Sequence, residues 1–146
     1  MISHKHKCIF IHIPKTAGTS IEDTLFTSHE NRSNKDLWWF PNKYQTGGLQ
    51  HLKASHITEE VGEDIFSEYF KFSFVRNPYD RIISQFNYTI KTRKDLQLWI
   101  GIDENSSFKE YLRKVSVSDI HVQWDHQYKF IYDSDGKQLV DFIGRF

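Results

Sequence analysis

Hydrophobic and polar positions alternate along the chain in blocks that predict strands followed by helices. Residues 8–13, "CIFIHI", form a nearly continuous apolar run, which is typical of a parallel strand buried on both faces. A helical pattern begins at about Gly18, with Ile21 and Leu25 four positions apart on one side. This order of strand and then helix favours an α/β fold.

The same order returns in the second half of the chain. An apolar residue at every fourth position over 57–65 predicts one helix. Residues 69–75, "YFKFSFV", predict a strand that runs directly into "RNPYDRIISQF". In that segment Asn77 can cap a helix and Pro78 can occupy its first turn. A second strand-to-helix junction is therefore expected.

Capping and turn residues indicate the remaining elements. Ser107 is followed three residues later by a glutamate, which is a capping-box pattern ahead of a helix. Residues 128–146, "YKFIYDSDGKQLVDFIGRF", predict two β segments around a turn at Asp135-Gly136. Residues 28–50 show no regular period and predict a long irregular excursion.

Composition limits the class of protein. A chain of 146 residues is expected to form one domain over 1–146. Lys+Arg and Asp+Glu both number 19, which argues against bulk electrostatic binding to nucleic acid or to an acidic membrane. Cys8 is the only cysteine; this excludes an internal disulfide and suits a reducing compartment. No apolar run approaches the length of a membrane span, so we expect a soluble, uncleaved, cytoplasmic chain.

The loop between the first predicted strand and helix carries the most distinctive chemistry, "PKTAGTS". Gly18 lets the backbone approach a ligand closely, and Lys15 adds a mobile cation. Its hydroxyl donors are Thr16, Thr19 and Ser20. Because backbone N–H groups at a helix N-terminus favour negative charge, the loop predicts a phosphate or sulfate site. The alternative is a helix cap beside a solvated lysine.

The loop differs from the nucleotide triphosphate P-loop, G-x-x-x-x-G-K-[ST], because Lys15 precedes Gly18 and the first glycine is missing. At the second junction, Arg76 lies where the predicted strand ends, at the edge where α/β sheets bind ligands. Ser84 follows about two helical turns later. Together they could hold a second phosphate; an ion pair of Arg76 with Asp80 and a surface hydroxyl are the alternatives.

Taken together, "FIHIPKTAGTSIE" and "FSFVRNPYDRIISQF" resemble the two nucleotide-binding motifs of the sulfotransferases. The similarity is greatest to the carbohydrate-type family 2 enzymes and their bacterial relatives, and it extends more loosely through "GLQHLKASHITEEVGEDIF" to "VDFIGRF". The resemblance implies a P-loop-like three-layer fold with a central, mainly parallel sheet. Family members continue past this "GRF" strand, so the chain is expected to lack a C-terminal part.

The resemblance also implies a reaction. The family transfers a sulfuryl group from 3′-phosphoadenosine 5′-phosphosulfate (PAPS), without a metal, to an acceptor hydroxyl, here one on a saccharide. The first motif holds the 5′-phosphosulfate, and its matching positions are Lys15, Thr16, Ala17, Gly18, Thr19 and Ser20. The second holds the 3′-phosphate, which carries onto Arg76 and Ser84. Lys15 is then also catalytic, since it meets the charge that builds on the bridging oxygen.

An acceptor hydroxyl needs a base, and the resemblance points to His51, where the bacterial relatives carry a histidine. An unperturbed imidazole pKa of ~6.5 suits proton removal at neutral pH. His56, Glu59 and Glu60 are rival bases, and His51 as an ordinary loop histidine is the alternative. His12 falls within the first strand and is expected to be structural.

Three functional classes follow from these patterns. A PAPS-dependent sulfotransferase requires both phosphate motifs to face one cleft. A P-loop nucleotide kinase requires a magnesium-binding hydroxyl after a lysine and a carboxylate at a strand end. A non-catalytic nucleotide-binding module requires neither a base nor an open acceptor side. The sulfotransferase fits the two motifs best.

Overall fold

A computed structural model of the chain describes residues 1–25, 51–117 and 121–146. The strands are β1 (Ile2–Ser3), β2 (Cys8–Ile11), β3 (Phe70–Val75) and β4 (Phe142–Arg145). The helices are α1 (Gly18–Leu25), α2 (Ala54–Val61), α3 (Glu63–Glu68), α4 (Pro78–Thr92), α5 (Lys94–Ile100), α6 (Phe108–Val117) and α7 (Tyr128–Ile131). Within the described ranges, no helix has both the length and the apolar character needed to cross a bilayer. The excursion expected over 28–50 falls outside these ranges.

The described chain packs as two compact units, and the first comprises Met1–Val75 and His126–Phe146. It is built on a four-stranded sheet with the order β1-β2-β3-β4. β1 pairs antiparallel with β2, whereas β2 with β3 and β3 with β4 are parallel pairs. The α/β class is confirmed, and the sheet is mixed, with two parallel pairs and one antiparallel pair, as a mainly parallel sheet allows. One domain over 1–146 stays a prediction.

Strand β2 is the buried centre of this sheet. All of its residues are buried, as expected for a parallel strand covered on both faces, and it ends at Ile11, earlier than the predicted 8–13. Ile11 is in register with Ser73 of β3, and the buried Ser73 hydroxyl donates to the Ile11 carbonyl oxygen at 2.7 Å. This bond gives the buried Ser73 hydroxyl a partner within the sheet.

The helix predicted over 57–65 is wrong in its continuity, because the structure has two helices, α2 and α3. The break lies at Gly62, whose φ is +85°. Glycine adopts this conformation without the steric cost that a side chain imposes. Periodicity could not show the break, since Gly62 lies between the apolar positions that define the period.

The two β segments predicted around Asp135-Gly136 are corrected in part. The turn is present, with φ +81° at Gly136 and a hydrogen bond from its N–H to the Asp133 carbonyl oxygen at 3.2 Å. The first segment, however, is the short helix α7. The second segment contains β4, which pairs in parallel with β3. Phe130 and Ile131 of α7 are buried, and a short buried apolar run does not distinguish helix from strand.

The second unit comprises Arg76–Asp125 and contains α4, α5 and α6. Its predicted helix starts are confirmed. The Asn77 side chain accepts a hydrogen bond from the Tyr79 N–H at 2.9 Å, and Pro78 opens α4. The Ser107 hydroxyl oxygen accepts from the Glu110 N–H at 3.2 Å ahead of α6. Side-chain capping therefore sets these helix starts, as the sequence indicated.

A polar stripe lies on the buried face of α4, and the sequence did not predict it. The stripe consists of Arg81, Gln85 and Thr89. Arg81 donates to the carbonyl oxygens of Asp125 at 2.9 Å and Gln123 at 3.3 Å, and burial lowers its pKa to about 10. These bonds fasten the 121–125 segment to α4 within the second unit.

Candidate functional site

The loop that joins β2 to α1 contains two backbone conformations that are rare for residues with a side chain. φ is +66° at Lys15 and +63° at Ala17, while Thr16 between them is not in this region. Each such residue costs roughly 1–3 kcal/mol and is found preferentially at functional sites. Alternation of this kind turns successive N–H groups towards one concavity, a nest that binds anions. The two positive φ angles are therefore consistent with the phosphate or sulfate site expected from the sequence.

The Thr16 side chain packs beneath the loop and forms a hydrogen bond within it. Its side chain is fully buried, and its hydroxyl donates to the Ile13 carbonyl oxygen at 2.9 Å. The sequence predicted that this hydroxyl donates to a ligand, whereas in the structure it donates to the protein backbone. Lys15 is half-buried, whereas the exposed hydroxyls of the loop are Thr19 and Ser20, in the first turn of α1. Thr19 and Ser20 are consequently the residues of the loop that place hydroxyl groups at the surface.

Gly18, the first residue of α1, lies directly against a histidine ring. A Cβ atom at this position would lie 2.0 Å from Nε2 of His12, far inside van der Waals contact. The sequence suggested that this glycine permits the close approach of a ligand. The structure gives a different reason, because only glycine leaves room for the His12 imidazole.

His51 lies beside the same ring. Both imidazoles are buried, at 6% exposure for His12 and 7% for His51, and their centroids are 4.5 Å apart in an edge-to-face arrangement. Nδ1 of His51 is 3.1 Å from the His12 carbonyl oxygen. Because a carbonyl only accepts, Nδ1 carries the hydrogen, and Nε2 of the neutral ring then carries the lone pair. This is the tautomer that can take up a proton at Nε2.

The structure brings the predicted residues Lys15 to Ser20 and His51 into the first unit, linked through His12. Arg76 and Ser84 both belong to the second unit. Arg76 follows the last residue of β3 and is half-buried, as is Ser84 on α4. The two motifs therefore follow neighbouring parallel strands, β2 and β3, along the chain.

The contact of His12 with Gly18 is the feature of this site that sequence reasoning missed. The available signal was a histidine inside the otherwise apolar run of the predicted strand, followed six residues later by the glycine at the start of the predicted helix. Among residues 1–25, 51–117 and 121–146, no three His, Cys, Asp or Glu side chains are grouped as metal ligands. The candidate site in the first unit thus consists of the loop with positive φ angles, Lys15 and the imidazoles of His12 and His51.

A family model described as "Sulfotransferase family" matches residues 1–137, which include both motifs. The chain belongs to the sulfotransferase family, and the resemblance carried by its motifs is confirmed. It is similar to carbohydrate sulfotransferase 10 of Danio rerio, with 23% identity over 147 residues. That alignment covers 96% of this chain and 39% of the relative, so the chain spans well under half of the relative's length. No solved structure gives a significant match.

Proposed function

We propose that the chain carries the donor-binding core of an enzyme that transfers a sulfuryl group from PAPS to a hydroxyl of a carbohydrate-type acceptor. The observation that carries the proposal is the pair of positive φ angles at Lys15 and Ala17, in the loop between the buried strand β2 and α1; this backbone pattern is typical of an anion-binding nest. Family membership over 1–137 supports it. The succession of strand, nest and helix also supports a P-loop-like three-layer fold around the mainly parallel sheet.

In this proposal the first motif holds the 5′-phosphosulfate. PAPS supplies a sulfur atom whose bond to the 5′-phosphate oxygen breaks as the acceptor oxygen attacks. The backbone N–H groups of the nest and the hydroxyls of Thr19 and Ser20 donate to the phosphosulfate oxygens. Lys15 places its ammonium where negative charge builds, and electrostatic stabilisation of this kind commonly makes one of the largest contributions to catalysis. The positive charge comes from the protein, and the proposal includes no metal.

The second motif holds the 3′-phosphate in this proposal. Arg76 offers a planar guanidinium that can donate two parallel hydrogen bonds to a phosphate group. Ser84 adds a hydroxyl on α4, the helix that Asn77 and Pro78 begin. A nucleotide with both a 3′- and a 5′-phosphate should therefore bind better than one that carries only the 5′-phosphate.

His51 is proposed as the general base. Its Nδ1 hydrogen is held by the His12 carbonyl oxygen, so Nε2 is the atom that takes the proton from the attacking hydroxyl. The saccharide acceptor is proposed from the relative in Danio rerio, which is named a carbohydrate sulfotransferase. His56 and Glu60, both on α2, are the rival bases.

A calorimetric titration tests the donor-site proposal. We expect adenosine 3′,5′-bisphosphate, the product nucleotide, to bind without magnesium and ATP with magnesium to bind more weakly. The opposite preference would support the nucleotide kinase instead. Release of sulfate from labelled PAPS, or its transfer to a saccharide, then separates an enzyme from a non-catalytic binding module, which would bind the nucleotide and leave PAPS intact.

A further inference from the structure

The His12 side chain fills the space between the anion nest and His51. Its ring contacts Gly18 on one side, where a Cβ atom would lie 2.0 Å from Nε2. On another side it meets the His51 ring at a centroid distance of 4.5 Å and an interplanar angle of 68°. On the strand it stacks on Phe10 at 5.6 Å and 22°. The imidazole is thus held by contacts with β2, with the start of α1 and with the segment before α2.

We propose that His12 is a positioning residue for His51. Its imidazole sets the separation between the nest and the His51 ring, and it holds that ring in the tautomer with the hydrogen on Nδ1. The inference rests on the proposed function, in which His51 takes up the acceptor proton. His12 acts through His51 and through the backbone at Gly18.

Two contacts act together to hold the His51 tautomer. The hydrogen bond from His51 Nδ1 ends on the backbone carbonyl of residue 12, so a substitution there leaves its acceptor in place. The orientation of the His51 ring towards that carbonyl depends on the edge-to-face contact with the His12 side chain. Without this contact the His51 ring can rotate away, and an imidazole in water prefers the hydrogen on Nε2. Nε2 would then no longer accept a proton.

Gly18 fixes the distance between the nest and the His51 ring. The first residue of α1 packs directly on the His12 ring, so the start of the helix, the ring and His51 form one continuous row of contacts. A side chain at position 18 would displace the ring and with it His51. Because a displacement of about 1 Å at a catalytic group can reduce a rate by roughly 100-fold, the row couples the nest to the base.

The first experiment reads the tautomer directly, without any need for turnover. Nitrogen chemical shifts of ¹⁵N-histidine are compared in the wild type, His12→Leu, His12→Phe and His6→Leu, the last being an exposed control in the same unit. We expect His51 to carry its hydrogen on Nδ1 in the wild type and in His6→Leu. In whichever His12 variant folds, by circular dichroism and thermal unfolding, we expect the Nε2–H form to increase. A wild-type Nε2–H tautomer, or an unchanged tautomer in a folded His12 variant, overturns the proposal.

The second experiment uses the steric relation between His12 and Gly18. Gly18→Ala should weaken binding of adenosine 3′,5′-bisphosphate, because the new Cβ atom and the His12 ring cannot occupy their present positions together. The double variant Gly18→Ala/His12→Ala relieves the clash and should recover most of that affinity. Turnover of the double variant should still be about 10–100-fold below that of the wild type, because His51 has lost its contact with the His12 ring. Recovery of turnover together with affinity would overturn the positioning role.

The two experiments separate this inference from the proposed function. If the wild type binds no adenosine 3′,5′-bisphosphate, the donor-site proposal fails, while the tautomer measurement still decides whether His12 orients His51. If the nucleotide binds and PAPS is turned over, but the tautomer is the same in every folded variant, only the role of His12 fails.

Discussion

The buried Thr16 hydroxyl donates a hydrogen bond to the Ile13 carbonyl oxygen, with 2.9 Å between the two oxygens. The bond spans Pro14 and Lys15 and holds Thr16 between the two left-handed residues Lys15 and Ala17. The nest therefore has an internal support that needs no ligand. Dipoles that are already oriented stabilise developing charge without the cost of reorganisation, which fits the proposed role of the loop in holding a transferring sulfuryl group.

Lys15→Ala should reduce turnover more than nucleotide affinity. The ammonium is proposed to meet charge that grows as the bond to sulfur breaks, and the loss of one such group reduces kcat by about 10²–10³-fold. Affinity for adenosine 3′,5′-bisphosphate should fall by about tenfold. Lys5→Ala, at an exposed lysine of the same unit, is the matched control and should change neither. Unchanged turnover at saturating PAPS would make Lys15 a binding residue only.

Arg76→Ala should discriminate between two nucleotides. We expect affinity for adenosine 3′,5′-bisphosphate to fall by at least about tenfold, since a charged hydrogen-bonding partner contributes ~1.5–3 kcal/mol. Affinity for adenosine 5′-phosphate should fall much less, because it lacks the 3′-phosphate. Isothermal titration calorimetry measures both, with Arg113→Ala as an exposed arginine control on α6. Equal losses for the two nucleotides would remove Arg76 from the 3′-phosphate site.

His51→Ala should reduce turnover by about 10²–10⁴-fold while nucleotide binding remains, as expected for a general base. The wild-type rate should fall at acid pH as an imidazole is protonated, and the variant should lose this limb. Sulfate transfer from labelled PAPS across the pH range measures both effects. Near-normal turnover would move the base to His56 or Glu60. Loss of nucleotide binding would instead make His51 a support of the donor site.

The parts of the fold that the sequence predicted are those with a local signal. β2 has a continuous apolar run, and α4 has a capping asparagine followed by proline at its start. The failures occur where a single residue interrupts a period or where an element is too short to show one. Gly62 divides α2 from α3 between two apolar positions, and Phe130 is buried in a helix too short to show a period. The sequence did not predict α5, which is likewise too short to show a helical period. Cytoplasmic location stays a prediction.

The candidate site also has features that the sequence predicted and features that it could not predict. Lys15 and the hydroxyls after it were visible as residue types suited to an anion, but the left-handed backbone at Ala17 was not. Alanine carries no sequence signal for positive φ. The contact between His12 and Gly18 joins the residue that follows β2 to the first residue of α1 and is set by packing. The use of Arg81 inside the second unit depends on carbonyls more than 40 residues away along the chain.

Tyr111 should make stability fall at alkaline pH. Burial raises the pKa of Tyr111 to about 12 from 10.0, while its hydroxyl accepts a hydrogen bond from the Trp124 indole at 2.7 Å. The unfolded chain therefore loses this proton at lower pH than the folded chain does. The stabilisation is complete below the unfolded-state pKa and is lost as the pH rises through the folded-state pKa.

The variant Tyr111→Phe isolates this effect. Near neutral pH it should be less stable than the wild type by about 1 kcal/mol, because the Trp124 indole loses its acceptor. Over the two pH units above the ordinary tyrosine pKa, the wild type should lose roughly 2–3 kcal/mol relative to the variant. Urea unfolding across the alkaline range measures the difference, with the exposed Tyr128→Phe as control. A constant difference at every pH would contradict the assignment.

Asp141 should contribute more to stability than the surface acid Glu68, although each pairs with a lysine. Asp141 Oδ2 accepts from the Lys71 backbone N–H at 2.7 Å and lies 3.1 Å from the Lys71 ammonium, whose side chain is only 11% exposed. In the pair of Lys7 with Glu68, both side chains are more than half exposed, at 64% and 55%. The Asp141 side chain is itself 44% exposed, so the difference lies in the buried Lys71 ammonium and in the bond to the backbone N–H. Water and salt therefore screen the second pair more than the first.

Asp141→Ala should lower the free energy of unfolding by about 1.5–3 kcal/mol, because it leaves a buried ammonium and a strand N–H short of an acceptor. Glu68→Ala should lower it far less, and that loss should shrink as salt is added. Urea unfolding of the two variants at low and high ionic strength measures both. The Asp141 effect should persist in salt, since its bond to the Lys71 N–H is not an ion pair. Equal, salt-sensitive losses would show that the Asp141 pair is screened like a surface pair and does not anchor β3 to the segment before β4.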